Sequence, residues 1–355
     1  RWKLMIPIVY FRSSSFNCHR FCPMQYYLEY TLGWRGESNQ KADKGTIVHK
    51  ALEICAVCKK GAQDGKKTIT DDVVGKVITD LYEPEYLETI IEKVYKYYAD
   101  GCSHHTWTNK DLKDCIEWTW KALRYNQGMF DPRNRDVVDA EPHFDITIDQ
   151  EWAEYSYEVG GEKLEGKLSL KGTVDLVTDL GDNVYEIIDW KTGRRLDWAT
   201  GEEKTQEKLL NDAQLRIYHY AIKHLYPHVD TFLVTIYFIN DGGAFTIHLQ
   251  DEDLPKTEEM LKKKFQFIKE TEKPNLVKSW KCSKLCHQGK STFEDTSIDP
   301  LIEERISQAS RYGQHMTKCE QTNYMINKYG IEWTTEHLMH PEHVTGKYKA
   351  PGSIE

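Results

Sequence analysis

Apolar residues recur at helical spacing over the first 130 or so residues of this chain and at strand spacing over much of the remainder. Residues 13–33, SSSFNCHRFCPMQYYLEYTLG, read as a turn and a short helix, with Pro23 suited to a first helical turn. Residues 44–60, KGTIVHKALEICAVCKK, form a second helix that buries Ile47, Ala51, Leu52 and Ile54 and that Gly61 and Gly65 end. Residues 71–127 read as helical throughout. Their many Trp and Tyr side chains suit packing first and stacking of a nucleic-acid strand second.

Past residue 131 the period shortens. A strand is predicted at 141–149, then a strand pair with a Gly-rich turn near 160–161. NVYEIIDW is a further strand, entered through the hairpin turn Gly181–Asp182–Asn183. Residues 204–226 form the strongest helix of this half. TFLVTIYFIN and GAFTIHLQ pair across Asp241–Gly242–Gly243, and residues 255–271 are helical. The tail from 291 is polar and loop-rich, with helical stretches possible over 300–310 and 318–328. The order of elements predicts an α/β fold in three parts: a helical region at 1–130, a core at 131–290 and an extension at 291–355.

Composition narrows the class. Hydrophobic residues make up 39% of the chain and aromatics 12%, enough for a real core and unlike a disordered chain. No run approaches a membrane span, and no secretory segment follows Arg1, so a cytoplasmic protein without membrane partners is expected, in a cell or in a virus-infected host. The net charge of −9 argues against a wholly basic nucleic-acid wrapper but not against a metal-dependent enzyme, whose ligands are acidic. Lys59–Lys60, Lys66–Lys67 and Lys262–Lys264 read as solvated faces, whereas Arg194–Arg195 directly follows the most informative segment.

That segment is GTVDLVTDLGDNVYEIIDWKTG, residues 172–193. A hairpin here brings Asp175 beside Asp189, and Lys191 shares a strand face with Asp189. Two carboxylates suit Mg²⁺ or Mn²⁺, and the backbone carbonyl of Trp190 offers another oxygen. A lysine beside them can orient a nucleophile or offset charge that develops on a phosphate. No GxSxG and no GxxxxGK[ST] motif occurs, which speaks against a serine esterase and an ATP-driven motor.

GTVD followed by IIDWKTG resembles the PD-(D/E)XK nuclease superfamily, in particular its RecB/AddB-type and Cas4-like branch. The resemblance implies a restriction-endonuclease-like mixed sheet flanked by helices, and a metal-dependent DNA exonuclease. GTIVHKALE then nominates His49 as a metal ligand, and QLRIY nominates Gln214 and Tyr218 as residues that position substrate or Lys191. Glu141 matches an acidic residue upstream of the first motif aspartate and is a further candidate metal ligand. Many members of this branch hold a [4Fe–4S] cluster, which nominates Cys22, Cys282, Cys286 and Cys319. Cys18 is a rival fourth ligand, and ligation by His19 or His287 would suit zinc. Cys55, Cys58, Cys102 and Cys115 read as buried small hydrophobes. The implied partners are DNA with free ends or single strands and a helicase or recombination protein. A non-catalytic DNA-binding scaffold of the same fold, a metal-dependent endonuclease and a small-substrate hydrolase are the competing functions.

Overall fold

In the computed structural model, residues 6–36, 38–159, 162–197, 199–293, 304 and 316–339 are described. The expected turn at 160–161 and helix at 300–310 lie outside them, except for residue 304. The chain divides into two compact units. One comprises residues 38–145 and 171–257, and the other residues 6–36, 146–170 and the described residues from 258 onward. Among the described residues no helix is long and apolar enough to cross a membrane.

In chain order the elements begin with β1 (Tyr10–Phe11), α1 (Ser13–Phe21), α2 (Pro23–Tyr26) and a π-helical turn, Tyr27–Thr31. They continue with α3 (Gln40–Gln63), β2 (Thr68–Asp71), β3 (Gly75–Ile78), α4 (Pro84–Gly101) and α5 (Asn109–Arg124). Next come β4 (Asp136–Ala140), β5 (His143–Thr147), β6 (Glu154–Val159), β7 (Glu162–Lys167), β8 (Ser169–Thr173), β9 (Leu176–Asp179) and β10 (Val184–Lys191). The chain continues through α6 (Gln206–Leu209), α7 (Ala213–Leu225), β11 (Thr231–Phe238), β12 (Gly243–Leu249) and α8 (Leu254–Lys269). The last described helices are α9 (Trp280–Lys284), α10 (Lys318–Tyr329) and α11 (Ile331–Leu338).

The first unit is built on a five-stranded sheet in the order β12-β11-β10-β9-β4. β10 and β11 run parallel, and the remaining neighbours run antiparallel. A parallel pair needs a crossover, and α6 and α7 supply it. β10 is buried over Glu186–Trp190, which explains why Ile187 and Ile188 stand side by side rather than alternating with polar residues. On its other side α3 packs against β4, α4 and α5. Ile47, Leu52 and Ile54 of α3 join Val94, Ile188, Trp190 and Tyr237 in one core. Tyr86, Tyr95, Trp107, Trp118 and Trp120 pack on the margin of that core and Tyr98 within it, as the packing reading expects, while Tyr97 is exposed.

Several local expectations need correction. Residues 71–78 are not helical: β2 and β3 form a hairpin closed by Gly75 at φ +77°. Val73, Val74, Val77 and Ile78 supply β-branched residues there, and the left-handed glycine ends any helical run. α3 runs through Gly61, where an added Cβ would come within 2.8 Å of Ile69, so that glycine admits the hairpin rather than ending the helix. The expected helix at 204–226 is broken at Leu210–Asp212, because the Asp212 side chain accepts the Gln214 N–H at 2.9 Å and starts α7 afresh. β4 is a strand that the periodicity does not predict, since its charged DVVDA pattern hides an edge strand.

The second unit holds α1, α2, the hairpin β6–β7, most of α8, and α9 to α11. Tyr27 and Thr335 share a hydroxyl hydrogen bond of 2.7 Å, and the Trp34 indole donates to the Leu338 carbonyl at 2.6 Å. These bonds join residues about 300 apart in sequence inside one unit. The expected helix at 318–328 is α10.

Candidate active site

The register of one hairpin builds the site. Gly181, Asp182 and Asn183 all have positive φ, and Leu180 N–H bonds the Val184 carbonyl at 2.9 Å to close the turn. That turn sets Leu176 opposite Ile188. Asp175, just before β9, therefore comes beside Asp189, just after Ile188. Trp190 N–H donates to Asp175 Oδ2 at 2.7 Å, and His49 of α3 reaches Asp175 Oδ1 through Nδ1 at 3.3 Å. An added Cβ at Gly45 would lie 2.7 Å from Thr192 Oγ1, so the glycine of GTIVHKALE lets α3 approach the end of β10.

Asp189 is 1% exposed, and its Oδ2 lies 2.6 Å from Lys191 Nζ. A carboxylate oxygen offers more than one lone pair, so Oδ2 keeps coordinating capacity beside the ammonium. Its other oxygen accepts from Gln214 Nε2 at 3.1 Å. Gln214 also donates to the Tyr218 hydroxyl at 2.8 Å, and that hydroxyl bonds Asp189 in turn. The i, i+4 spacing on α7 thus closes a triangle on one carboxylate.

The charges are mutually dependent. Burial and the nearby Asp175 push the Asp189 carboxyl up, against the pull of Lys191. Burial opposes ionisation of Asp175 too, but His49, Lys191 and the Trp190 N–H together hold it below the usual carboxylate range. Burial disfavours the Lys191 ammonium, yet Asp189 and Asp175 outweigh it and keep the amine above its ordinary value. Lys191 is accordingly a fixed positive charge, not a ready proton acceptor.

Glu141 stands slightly apart. Its backbone N–H bonds the Asp175 carbonyl at 3.0 Å, but its carboxyl shares a hydrogen bond with Glu53. Glu53 lies one turn after His49 and closes the segment GTIVHKALE, from which the sequence reading takes only His49. Burial and then Glu141 push the Glu53 carboxyl up to about 7, while Lys50, 2.8 Å away, opposes them. Arg195, expected beside the site, is engaged structurally: it pairs with Glu203 and stacks 4.5 Å over Phe245.

The nominated cysteines all fall in the second unit. Cys286 and Cys319 are free thiols that share a hydrogen bond, and the Cys319 sulfur also feels Cys22 and Cys282. The Cys319 thiol brings Cys286 down to about 7. Cys18 faces Cys22 and Cys286 as well, with its own sulfur 3.9 Å from Glu29. Burial pushes the Cys18 thiol strongly up. Cys55, Cys58 and Cys115 are at most 1% exposed, as small buried hydrophobes should be.

Cys102 departs from that reading. It belongs to a buried or half-buried set with Asp43, His104 and His105, whose ligand atoms all lie within 4.8 Å of one another. Among the described residues this is the one such group of three or more potential ligands. Its parts lie some 60 residues apart in sequence, so the only local signal is Cys-x-His-His.

A family model settles the superfamily. Residues 13–301 match the family model for the PD-(D/E)XK nuclease superfamily, and the chain belongs to that superfamily. Its architecture is the corresponding α/β, restriction-endonuclease-like fold with a mixed sheet and flanking helices. Among solved structures, the Eubacterium rectale protein named "Putative exonuclease" is 14% identical, with 82% of this chain and 90% of that chain covered and a TM-score of 0.40. The protein SSO0001 is 15% identical over 68% of this chain and 91% of that one, with a TM-score of 0.26. No curated protein matches the chain.

Proposed function

We propose that this chain is a divalent-metal-dependent DNA exonuclease of the RecB/AddB-type and Cas4-like branch, acting in DNA end processing, recombination or repair. The observation that carries this reading is the meeting of Asp175, Asp189, Lys191 and His49 at one end of β10. The donor set fits Mg²⁺ or Mn²⁺: two carboxylates supply hard oxygen, and the buried Asp189 Oδ2, paired with Lys191, has a further lone pair to offer. Asp175, Asp189 and His49 would hold the ion, with the Trp190 carbonyl as a further oxygen. Bound there, it supplies Lewis-acid polarisation of a phosphoryl oxygen and a more acidic water.

The residues of the chain do the remaining work. Lys191, held charged by both aspartates, offsets negative charge gathering on the phosphate. Gln214 and Tyr218 fix the rotamer of Asp189. His49 lends Asp175 a partner on its outer oxygen while the Trp190 N–H fixes the other.

The thiols support the second cofactor. Cys319 feels Cys286, Cys22 and Cys282, and a gathering of four thiols is the donor set that an iron–sulfur cluster takes. A [4Fe–4S] cluster held by these four would tie α2, α9 and α10 together. DNA with free ends is the expected partner, alongside a helicase or recombination protein.

The test is incubation of anaerobically purified protein with end-labelled linear single- and double-stranded DNA in Mg²⁺, Mn²⁺ or EDTA, with closed circles as control. Metal-dependent loss of linear DNA with circles spared supports the exonuclease. Cutting of circles would move the reading to an endonuclease.

A further inference from the structure

We infer that Asp43, Cys102, His104 and His105 form a second, closed metal site that takes zinc and serves structure rather than chemistry. The donors are one thiol, two imidazoles and one carboxylate, the set that a tetrahedral zinc prefers. With bonds of about 2.0–2.3 Å, tetrahedral ligands stand about 3.3–3.8 Å apart. His104 Nε2 lies 3.6 Å from Cys102 Sγ and 3.6 Å from Asp43 Oδ2. Cys102 Sγ lies 4.0 Å from the same Asp43 oxygen. His105 Nε2, hydrogen-bonded to Asp43 at 2.5 Å, has to move outward by about 1 Å for those ligand distances, and the 4.0 Å Cys102–Asp43 separation has to close slightly.

Charge argues the same way. A thiolate and a carboxylate cancel the two positive charges of zinc, and both histidines bind as neutral imidazoles. The loaded site is therefore neutral, which suits a place where Asp43 is 4% and Cys102 6% exposed. Loading releases the Cys102 proton to solvent.

Four protein ligands leave no open position for substrate, which marks a structural site. The surroundings support that role. Asp43 sits in the first turn of α3, and Cys102 caps the end of α4. The intervening segment at 102–108 has no regular structure, and its other ties include a bond from Gln40 Nε2 to the Thr106 carbonyl at 3.2 Å. Ser38 also bonds Asp43, giving the ligating carboxylate an outer partner. Zinc here would clip α4 to the start of the helix that carries His49 six residues further on, about 9 Å along its axis.

The inference does not rest on nuclease activity, and neither does its test. The full chain is stripped with chelator, then titrated with Zn²⁺ and separately with Co²⁺, whose thiolate charge-transfer band reports sulfur ligation. Wild type is compared with Cys102→Ser and His104→Gln; the glutamine keeps hydrogen bonding and leaves every thiol intact. We expect wild type to bind one tight zinc equivalent more than either variant, each of which should hold that ion at least about 10-fold more weakly. The cobalt–thiolate band should fall in both variants, and zinc should raise the melting temperature of wild type only. Zinc content and cobalt spectrum unchanged in His104→Gln would overturn the site, whatever Cys102→Ser does to folding. So would a wild-type chain with no cobalt–thiolate band.

Discussion

Asp175 accepts the backbone N–H of Trp190 at 2.7 Å, so one of the two acidic residues of the site also holds the end of its own hairpin. The two roles separate by substitution. Asp175→Ala leaves that N–H, on a residue 1% exposed, without its partner, and should cost about 1–3 kcal/mol of stability as well as cleavage. Asp175→Asn keeps an acceptor in place. It should melt close to wild type while losing divalent-metal binding, as thermal melts and metal titration of the same samples will read.

The Gln214–Tyr218–Asp189 triangle acts as a unit. Gln214→Ala and Tyr218→Phe should each lower cleavage about 10–100-fold, as loss of a residue orienting a metal ligand does. Because both changes loosen the same carboxylate, the double variant should fall short of the product of the two losses. A full double-mutant cycle on cleavage rate measures the coupling, and strict multiplicativity would show the two residues to be independent.

Much of this arrangement is legible in the sequence because it is local. GTVD, the Gly181–Asp182–Asn183 turn and IIDWK lie within one hairpin, so register alone joins Asp175 to Asp189. His49 and the Gln214–Tyr218 pair come from separate helices and are reached only through resemblance to a family. Glu53 escapes notice although its offset from His49 is helical, since a lone glutamate on a charged helix carries no signal until its neighbour Glu141 is known. The Asp43–Cys102–His104–His105 group is invisible for the same reason at longer range. The hairpin at 68–78 and the break at 210–212 escape the periodicity because short apolar runs fit both periods, and Gly75 and Asp212 decide between them.

Glu53 gives the chain a pH signature. Its carboxyl is near 7 in the folded state and 4.5 ordinarily, so the folded chain keeps a proton that the unfolded chain gives up in between. That contribution is complete below about pH 4.5 and is lost as pH rises through 7. With metal chelated, Glu53→Gln should match wild type in melting near pH 5 and exceed it near pH 8. The opposite order at pH 8 would show that Lys50, not Glu141, governs this residue.

Cys22→Ser should remove cluster iron and its visible absorption from anaerobically purified protein, while the cobalt–thiolate signal assigned to Cys102 persists. The two thiol sites are thereby read independently. Iron and sulfide content unchanged in Cys22→Ser would exclude that cysteine from the cluster.

The most direct test of the central claim is Mg²⁺-dependent cleavage of end-labelled linear DNA by wild type and by Lys191→Ala. Lys191→Ala removes the fixed positive charge 2.6 Å from Asp189 and should slow cleavage by about 10²–10³ or more with folding retained. Cleavage by Lys191→Ala at the wild-type rate would contradict the account, as would folded, metal-loaded wild type that leaves every DNA substrate intact.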